Sequence, residues 1–286
     1  MYWQIDAFIC MLDSMKGRSR NTLVAYRADL RQLKRYLAAH DIAPMEVKPG
    51  QLQEYIDRAG KGRLSERTGA RRVASTRAFY EFAHSRGWCN RNPASKLVAP
   101  KYQIGLSRPP QASEVEQLLA GTGGSDLLSL RDRVTIEIIA LTGIRPSELV
   151  ALDVSDVDCR AGTLRVTGSG ANTRTVAIPP STKDVLVEYV KQLLPIVGSD
   201  GPLFITKLEA RRMHRTNVNI IINDYFQGSG TRITPTSLRH AVALEAHRKG
   251  ANAQEIRRLL GLKSRMRAYH YLRLLKQLEA EAPRSK

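Results

Sequence analysis

Arg145 stands where an arginine can bind a phosphate group. It lies in the stretch LTGIRPSEL, in which Gly143 ends an apolar helical pattern and Pro146 opens the next helix. The free N–H groups of a helix start attract anions, and a guanidinium can bind two phosphate oxygens at once. Glu148 could hold that guanidinium or simply favour the helix start. Taken alone, an arginine at such a position is more often structural than functional.

Two later stretches place further chemically useful side chains beside apolar helices. TPTSLRH contains Arg239 and precedes a buried helix rich in alanine, and IRRLLGLKS ends a helix at Gly261. Tyr269 and Tyr271 follow that glycine by eight and ten residues. Two residues apart on a helix is about 200° of rotation, so only one tyrosine can face a given site.

Together these stretches resemble the motifs of the tyrosine recombinase (phage integrase) family. The LTGxRxxEL element, the LRH element, the LLG turn and a tyrosine ten residues after its glycine occur in the family's order and spacing. NTLVAYRADLRQLKRYL and a later NPA are similar to the family's core-binding domain, so the resemblance covers nearly the whole chain. It implies a mainly α fold with a small β-hairpin or sheet insertion, in two domains: a helical core-binding domain and a tyrosine-recombinase catalytic domain.

The resemblance assigns roles to three residues. Arg145 and Arg239 correspond to the two arginines that bind the scissile phosphate and stabilise the transition-state charge. Counting from Gly261 selects Tyr271 as the nucleophile, which would form a 3′-phosphotyrosyl bond and expel a 5′-hydroxyl. Tyr269 is then expected to pack. The implied reaction needs neither a metal nor a nucleotide, so we expect no cofactor.

Three positions depart from the family pattern and form a degenerate part of the catalytic set. Ser169 replaces a lysine in the hairpin turn, Thr236 a histidine, and Leu262 a histidine or tryptophan. Each general acid or base is worth on the order of 10² to 10⁴ in rate, so cleavage could be severely slowed. Arg174 or Lys263 could supply a replacement cation.

Two functions therefore stay open. The first is a site-specific recombinase or integrase that cuts and rejoins DNA through Tyr271, which the two arginines and the tyrosine favour. The alternative is a catalytically weak or inactive relative acting as an accessory or regulatory DNA-binding protein, which the three replacements favour.

The composition agrees with a nucleic-acid partner. The chain carries 45 Lys and Arg against 27 Asp and Glu, a net charge of +18, which predicts a nucleic acid as the partner. The family resemblance implies that this partner is double-stranded DNA. The three cysteines form no CxxC pair and no zinc-binding spacing, and no stretch is apolar enough to cross a membrane. We therefore expect a cytoplasmic protein with no metal, no signal peptide and no membrane contact.

The elements that position these residues can be read from apolar spacing. The sequence predicts domains at 1–95 and 113–286, joined by a proline-marked linker at 96–112. Predicted elements of the two domains are helices at 22–37, 48–59, 65–86, 127–142, 146–151, 181–194, 215–225, 236–249 and 253–260, a further helix opening with Ser113 as N-cap, and strands at 163–167 and 173–178.

Basic residues gather at the start of the helix predicted at 65–86. Because few acidic residues alternate with them, this run predicts phosphate contacts rather than a salt-bridged surface. With the linker, it predicts two domains on opposite faces of duplex DNA. The predicted DNA-binding residues are Arg63, Arg67, Arg71 and Arg72.

The C-terminal tail carries an apolar stripe formed by Leu274, Leu275 and Leu278. It could pack on its own domain. In the family, however, this segment docks on a neighbouring subunit. We therefore expect a monomer that assembles on DNA into a homo-oligomer, a tetramer, alone or with a related recombinase.

Overall fold

The computed structural model describes residues 1–15, 18–60, 65–101, 106–168, 172–226 and 232–281. The chain divides into two compact units, Met1–Ile104 and Gly105–Lys286. Both are mainly helical, and the second carries a small sheet, which confirms the predicted fold class.

In its described residues, the first unit contains four helices around an aromatic and aliphatic core. They are α1 (Tyr2–Ser14), α2 (Arg20–Ala39), α3 (Pro49–Gly60) and α4 (Glu66–Ser85). Ser19 caps α2 by accepting a hydrogen bond from the Thr22 backbone N–H, and Ser65 caps α4 through that of Thr68. Phe8, Phe79 and Tyr80 are fully buried where α1 and α4 meet the other helices.

Part of the segment assigned to the linker packs on this first unit. Leu97 is 3% exposed, and its carbonyl oxygen accepts a hydrogen bond from Arg77. A methyl group on Gly69 would lie 2.9 Å from the Pro100 ring, so this helix position needs a residue without a side chain. Residues 96–100 therefore belong to the packing of the first unit.

The second unit is built around a buried helix. Its elements are α5 (Ala112–Ala120), α6 (Leu127–Thr142), α7 (Pro146–Leu149), β1 (Val157–Asp158), β2 (Thr163–Thr167), β3 (Thr173–Ala177), α8 (Pro180–Val197), α9 (Arg215–Tyr225), α10 (Pro235–Arg248), α11 (Ala253–Leu260) and α12 (Arg265–Glu281). The strands form an antiparallel sheet in the order β1-β2-β3. Val134, Ile136 and Ile138 of α6 are fully buried, which makes this helix the centre of the larger core.

Two details of the second unit differ from the sequence predictions. Helix α5 is capped by Gln111 rather than Ser113, because Glu114 reaches back to the Gln111 backbone N–H at 2.7 Å. The sequence also missed β1, whose two residues are too few to show any alternation of polar and apolar side chains.

Helices α10, α11 and α12 enclose a smaller apolar cluster. Leu275 of α12 is fully buried there, against Leu244, Ile256 and Leu260. The C-terminal tail thus packs on its own unit at this point.

Candidate active site

Arg145 lies at the N-cap position of α7, directly after the turn that ends α6. Gly143 makes this turn with a φ of +65°, in the left-handed region that glycine adopts readily. The Arg145 side chain is 36% exposed and donates hydrogen bonds to Glu148 Oε1 at 2.8 Å and the Gly261 carbonyl at 3.3 Å. These contacts hold the guanidinium while part of it still faces solvent.

Arg239 lies on α10 and is 8% exposed. Its guanidinium donates to the carbonyl oxygen of Gly143 at 2.5 Å and to that of Leu260. Burial, and next the positive charge of Arg145, lower the pKa of Arg239 to about 10. Arg145 and Arg239 are therefore fixed by the same two turns, those at Gly143 and at Leu260–Gly261.

Both arginines open onto one cleft of about 370 Å³. Thr236 lines its edge with His240, whose ring Nδ1 lies 3.0 Å from the Ser107 carbonyl oxygen. Arg215 and Asn219 of α9 also line this cleft, and the sequence analysis did not single them out. Their spacing of four residues, which places them on one helical face, was the available signal.

Tyr271 lies on α12, and its hydroxyl is buried without a hydrogen-bond partner among the described residues. Its ring centroid is 5.7 Å from that of His240, a residue of the cleft. Burial raises the pKa of Tyr271 to about 12, although the charges of Arg239 and Arg145 act in the opposite direction. Tyr269 is 62% exposed, so the prediction that it packs is wrong within its own unit.

Glu148 joins two arginines from different elements. It is 5% exposed and accepts hydrogen bonds from Arg145 and, in a two-pronged arrangement, from Arg174 of β3 at 3.1 and 2.9 Å. Burial alone would raise the pKa of Glu148, but the Arg174 hydrogen bonds, the Arg145 backbone N–H and both positive charges outweigh it and lower that pKa.

Two of the three positions that depart from the family pattern lie in the described residues, and Thr236 lines the cleft of the two arginines. Leu262 is partly buried and packs against the small apolar cluster, while Ser169 lies outside the described residues. Lys263 is exposed and lines a second cleft of about 300 Å³ that also includes Arg174.

The arginines of α4 have different environments. Arg67 is exposed, and Arg71 is 38% exposed and pairs with Asp29 of α2. Arg72 is buried and contacts Asp29 and Gln32, so its predicted phosphate contact is corrected to a role inside the unit. Arg63 lies outside the described residues.

Neither a metal cluster nor a membrane-spanning helix is found within the described part of the chain. Nowhere there do three or more His, Cys, Asp or Glu side chains gather as metal ligands. None of the helices described above is both long and apolar enough to cross a bilayer.

Comparisons with known proteins cover both units. The phage integrase family matches residues 111–277, and the N-terminal SAM-like domain of phage integrases matches residues 5–87. Tyrosine recombinase XerC of Roseiflexus castenholzii is 32% identical over 90% of this chain and 84% of its own length. Tyrosine recombinase XerD of Shewanella oneidensis is 31% identical over 90% of this chain and 87% of its own.

Solved structures share the fold. XerH recombinase in a post-cleavage complex with palindromic difH aligns with a TM-score of 0.73 and 18% identity over 91% of this chain and 78% of that one. A lambda integrase dimer bound to a COC′ core site aligns with a TM-score of 0.70 and 18% identity, over 93% and 96% of the two chains. From the family matches and the sequence identities, the chain belongs to the phage integrase family of tyrosine recombinases.

Proposed function

We propose that this protein is a site-specific DNA recombinase that cuts and rejoins DNA through Tyr271. The observation that carries the proposal is the Tyr271 hydroxyl, which is buried, unpartnered among the described residues and within the field of Arg239 and Arg145. A buried hydroxyl without a partner costs about 1–3 kcal/mol, so a protein that only binds DNA would gain by losing it. The Xer relatives are named recombinases, which supports the same reaction.

The reaction conserves the phosphodiester energy. The Tyr271 oxygen attacks phosphorus and loses its proton, the bond from phosphorus to the 5′-oxygen breaks, and that oxygen takes up a proton to leave as a 5′-hydroxyl. Arg145 and Arg239 bind the non-bridging oxygens, whose charge grows in the transition state. Religation reverses these steps with a 5′-hydroxyl from another strand.

The replacements weaken the proton transfers rather than the charge stabilisation. Thr236 is a poor proton acceptor, and Ser169 cannot act as an ammonium acid. Arg174 is engaged by Glu148 in a two-pronged contact, so Lys263, which lines the same cleft as Arg174, is the ammonium that we propose as the acid. We therefore expect slow cleavage.

Helix α4 carries the proposed DNA contact of the first unit. Arg67 is exposed at the start of α4, and the Arg71 side chain is partly exposed. We propose these two residues as phosphate contacts, with double-stranded DNA as the partner and assembly of several copies on that DNA.

A nicked duplex that traps the covalent intermediate tests the proposal. The duplex carries a site selected for binding from random sequence, and its nick lets the short cleaved strand diffuse away. The expected result is a protein–DNA adduct that resists denaturation, is lost in Tyr271→Phe and persists in Tyr269→Phe, the matched exposed tyrosine. Binding without an adduct would instead favour the accessory or regulatory DNA-binding protein.

A further inference from the structure

We infer that Arg174 is a positioning residue for the phosphate-binding arginine Arg145, acting through Glu148. This inference rests on the proposed function, in which Arg145 binds the scissile phosphate. Arg174 does not contact Arg145 through a hydrogen bond of its own. Both guanidiniums share the Glu148 carboxylate, whose Oε1 accepts from Arg145 at 2.8 Å and from Arg174 at 3.1 Å.

Arg174 offsets the negative charge that Glu148 places beside Arg145. A buried carboxylate paired with Arg145 alone would cancel the charge that a phosphate needs. With Arg174 as a second partner, the group of Arg145, Glu148 and Arg174 keeps one net positive charge. Arg239 adds another, so the site matches the two negative charges of a pentacoordinate phosphorane.

Arg174 also fixes the orientation of the Glu148 carboxylate. Arg174 binds Glu148 with two parallel hydrogen bonds, Nη1 to Oε1 and Nη2 to Oε2, which fix the plane of the carboxylate. Glu148 Oε2 also accepts from the Arg145 backbone N–H at 3.1 Å. The carboxylate plane in turn sets the direction of the Arg145 guanidinium.

The Arg174 side chain is closely packed. The Arg174 side chain is 16% exposed, and a methyl group on Gly261 would lie 2.6 Å from its Nη1. A methyl group on Gly168 would lie 3.4 Å from Glu148 Oε1. Gly261 thus leaves room for the Arg174 guanidinium, whereas a methyl group on Gly168 would make only an ordinary contact, and β3 is tied to Glu148 of α7.

The test is a double-mutant cycle on Arg174→Met and Glu148→Gln, read as the rate of adduct formation at saturating DNA. Arg174→Met should slow adduct formation about 10- to 100-fold, the range of a displaced transition-state contact. The double variant should be no slower than Arg174→Met alone, because the carboxylate that captures Arg145 is then neutral. Multiplied losses in the double variant would overturn the inference.

Two further variants separate positioning from charge and packing. Arg165→Met removes an exposed arginine of the same hairpin, paired with Asp156, and should leave the rate unchanged. Arg174→Lys keeps the charge but not the two-pronged contact, and should recover only part of the rate. DNA affinity should fall far less than the rate, because many phosphate contacts together determine the affinity. A loss of affinity that accounts for the slower rate would contradict this role.

A measurement without DNA distinguishes this inference from the proposed function. NMR of the Arg145 guanidinium reports its rotation about the Nε–Cζ bond in the free protein. We expect restricted rotation in the wild type and in Arg165→Met, and faster rotation in Arg174→Met. Unchanged rotation in Arg174→Met would overturn the inference whether or not the protein cleaves DNA, whereas absence of an adduct in the wild type would overturn the proposed function alone.

Discussion

The ionisation state of Tyr271 determines how readily its oxygen can attack phosphorus. Because burial raises its pKa to about 12, only about one molecule in 10⁵ carries the phenolate at pH 7. A side-chain base would normally assist proton loss, but Thr236 offers none. Without a base at position 236, we expect the reactive form to come from the small deprotonated fraction.

A steep pH dependence follows from this ionisation. The neutral phenol is the form favoured below its raised pKa, so the rate of adduct formation should rise about tenfold per pH unit from pH 7 to pH 9. Arg239, with its pKa lowered to about 10, stays mostly protonated over this interval. The measurement is the single-turnover rate at saturating DNA. A rate independent of pH would reveal another base and contradict the argument.

Restoring the family residues should accelerate the same step. Ser169→Lys supplies an ammonium acid and Thr236→His supplies a base, so the double substitution should raise the adduct rate by on the order of 10² or more. Thr216→His, at another position lining the cleft, is the matched control and should not help. If the double substitution gives no gain, the defect lies elsewhere, with Leu262 the next position to change.

Residue types and order were readable from the sequence, but side-chain partners were not. The motif spacing selected Arg145, Arg239 and Tyr271, while nothing local indicated that Glu148 binds Arg174, which lies 26 residues away. Such pairs form only when separate elements pack. The exposure of Tyr269 was missed because a helical rotation angle cannot say which side faces the core.

For helix α4, the sequence predicts the bounds but not the direction in which each arginine points. Its bounds follow from local chemistry, since Ser65 caps its start and the apolar positions repeat along its length. Its basic run is not one face, however. Arg67 and Arg71 are about 40° apart around the helix, whereas Arg72 is about 100° further on and points into the unit.

Substitutions in α4 should therefore separate binding from stability. Arg67→Ala should lower the slope of log affinity against log salt by about 0.9, the value for one phosphate contact, without changing the free energy of unfolding. Arg72→Ala should instead reduce that free energy by about 3 kcal/mol, because it removes a partner of buried Asp29. Salt titrations of DNA binding and denaturant unfolding measure the two effects. A changed slope in Arg72→Ala at unchanged stability would reverse the assignment.

The net charge of +18 makes the molecule as a whole attractive to DNA. Composition and motif order were enough to predict two helical domains and the family. They could not fix how residues 96–100 pack, because a proline-rich stretch has the same local signature whether it packs or not. The placement of the two domains on opposite faces of DNA stays a prediction.

The C-terminal helix α12 could pack on its own unit, dock on a neighbouring subunit, or do both. Its residue Leu275 is fully buried in its own unit, and Glu279 of this helix pairs with Arg248 of α10 at 3.1 Å. Leu275→Ala should therefore cost about 3 kcal/mol of unfolding free energy through the cavity it leaves. A tail that also docks on a neighbour in the DNA-bound assembly would have a second role that this substitution leaves largely intact.

Truncation after Leu272 tests that second role. The truncated protein should bind single sites but form no higher-order complex on a DNA with two sites, whereas folded Leu275→Ala protein should still assemble. Complex size and single-site affinity are measured at a temperature where unfolding curves show both variants folded. If the truncated protein forms the same complexes as the full chain, the tail serves its own unit only and the subunits assemble through another surface.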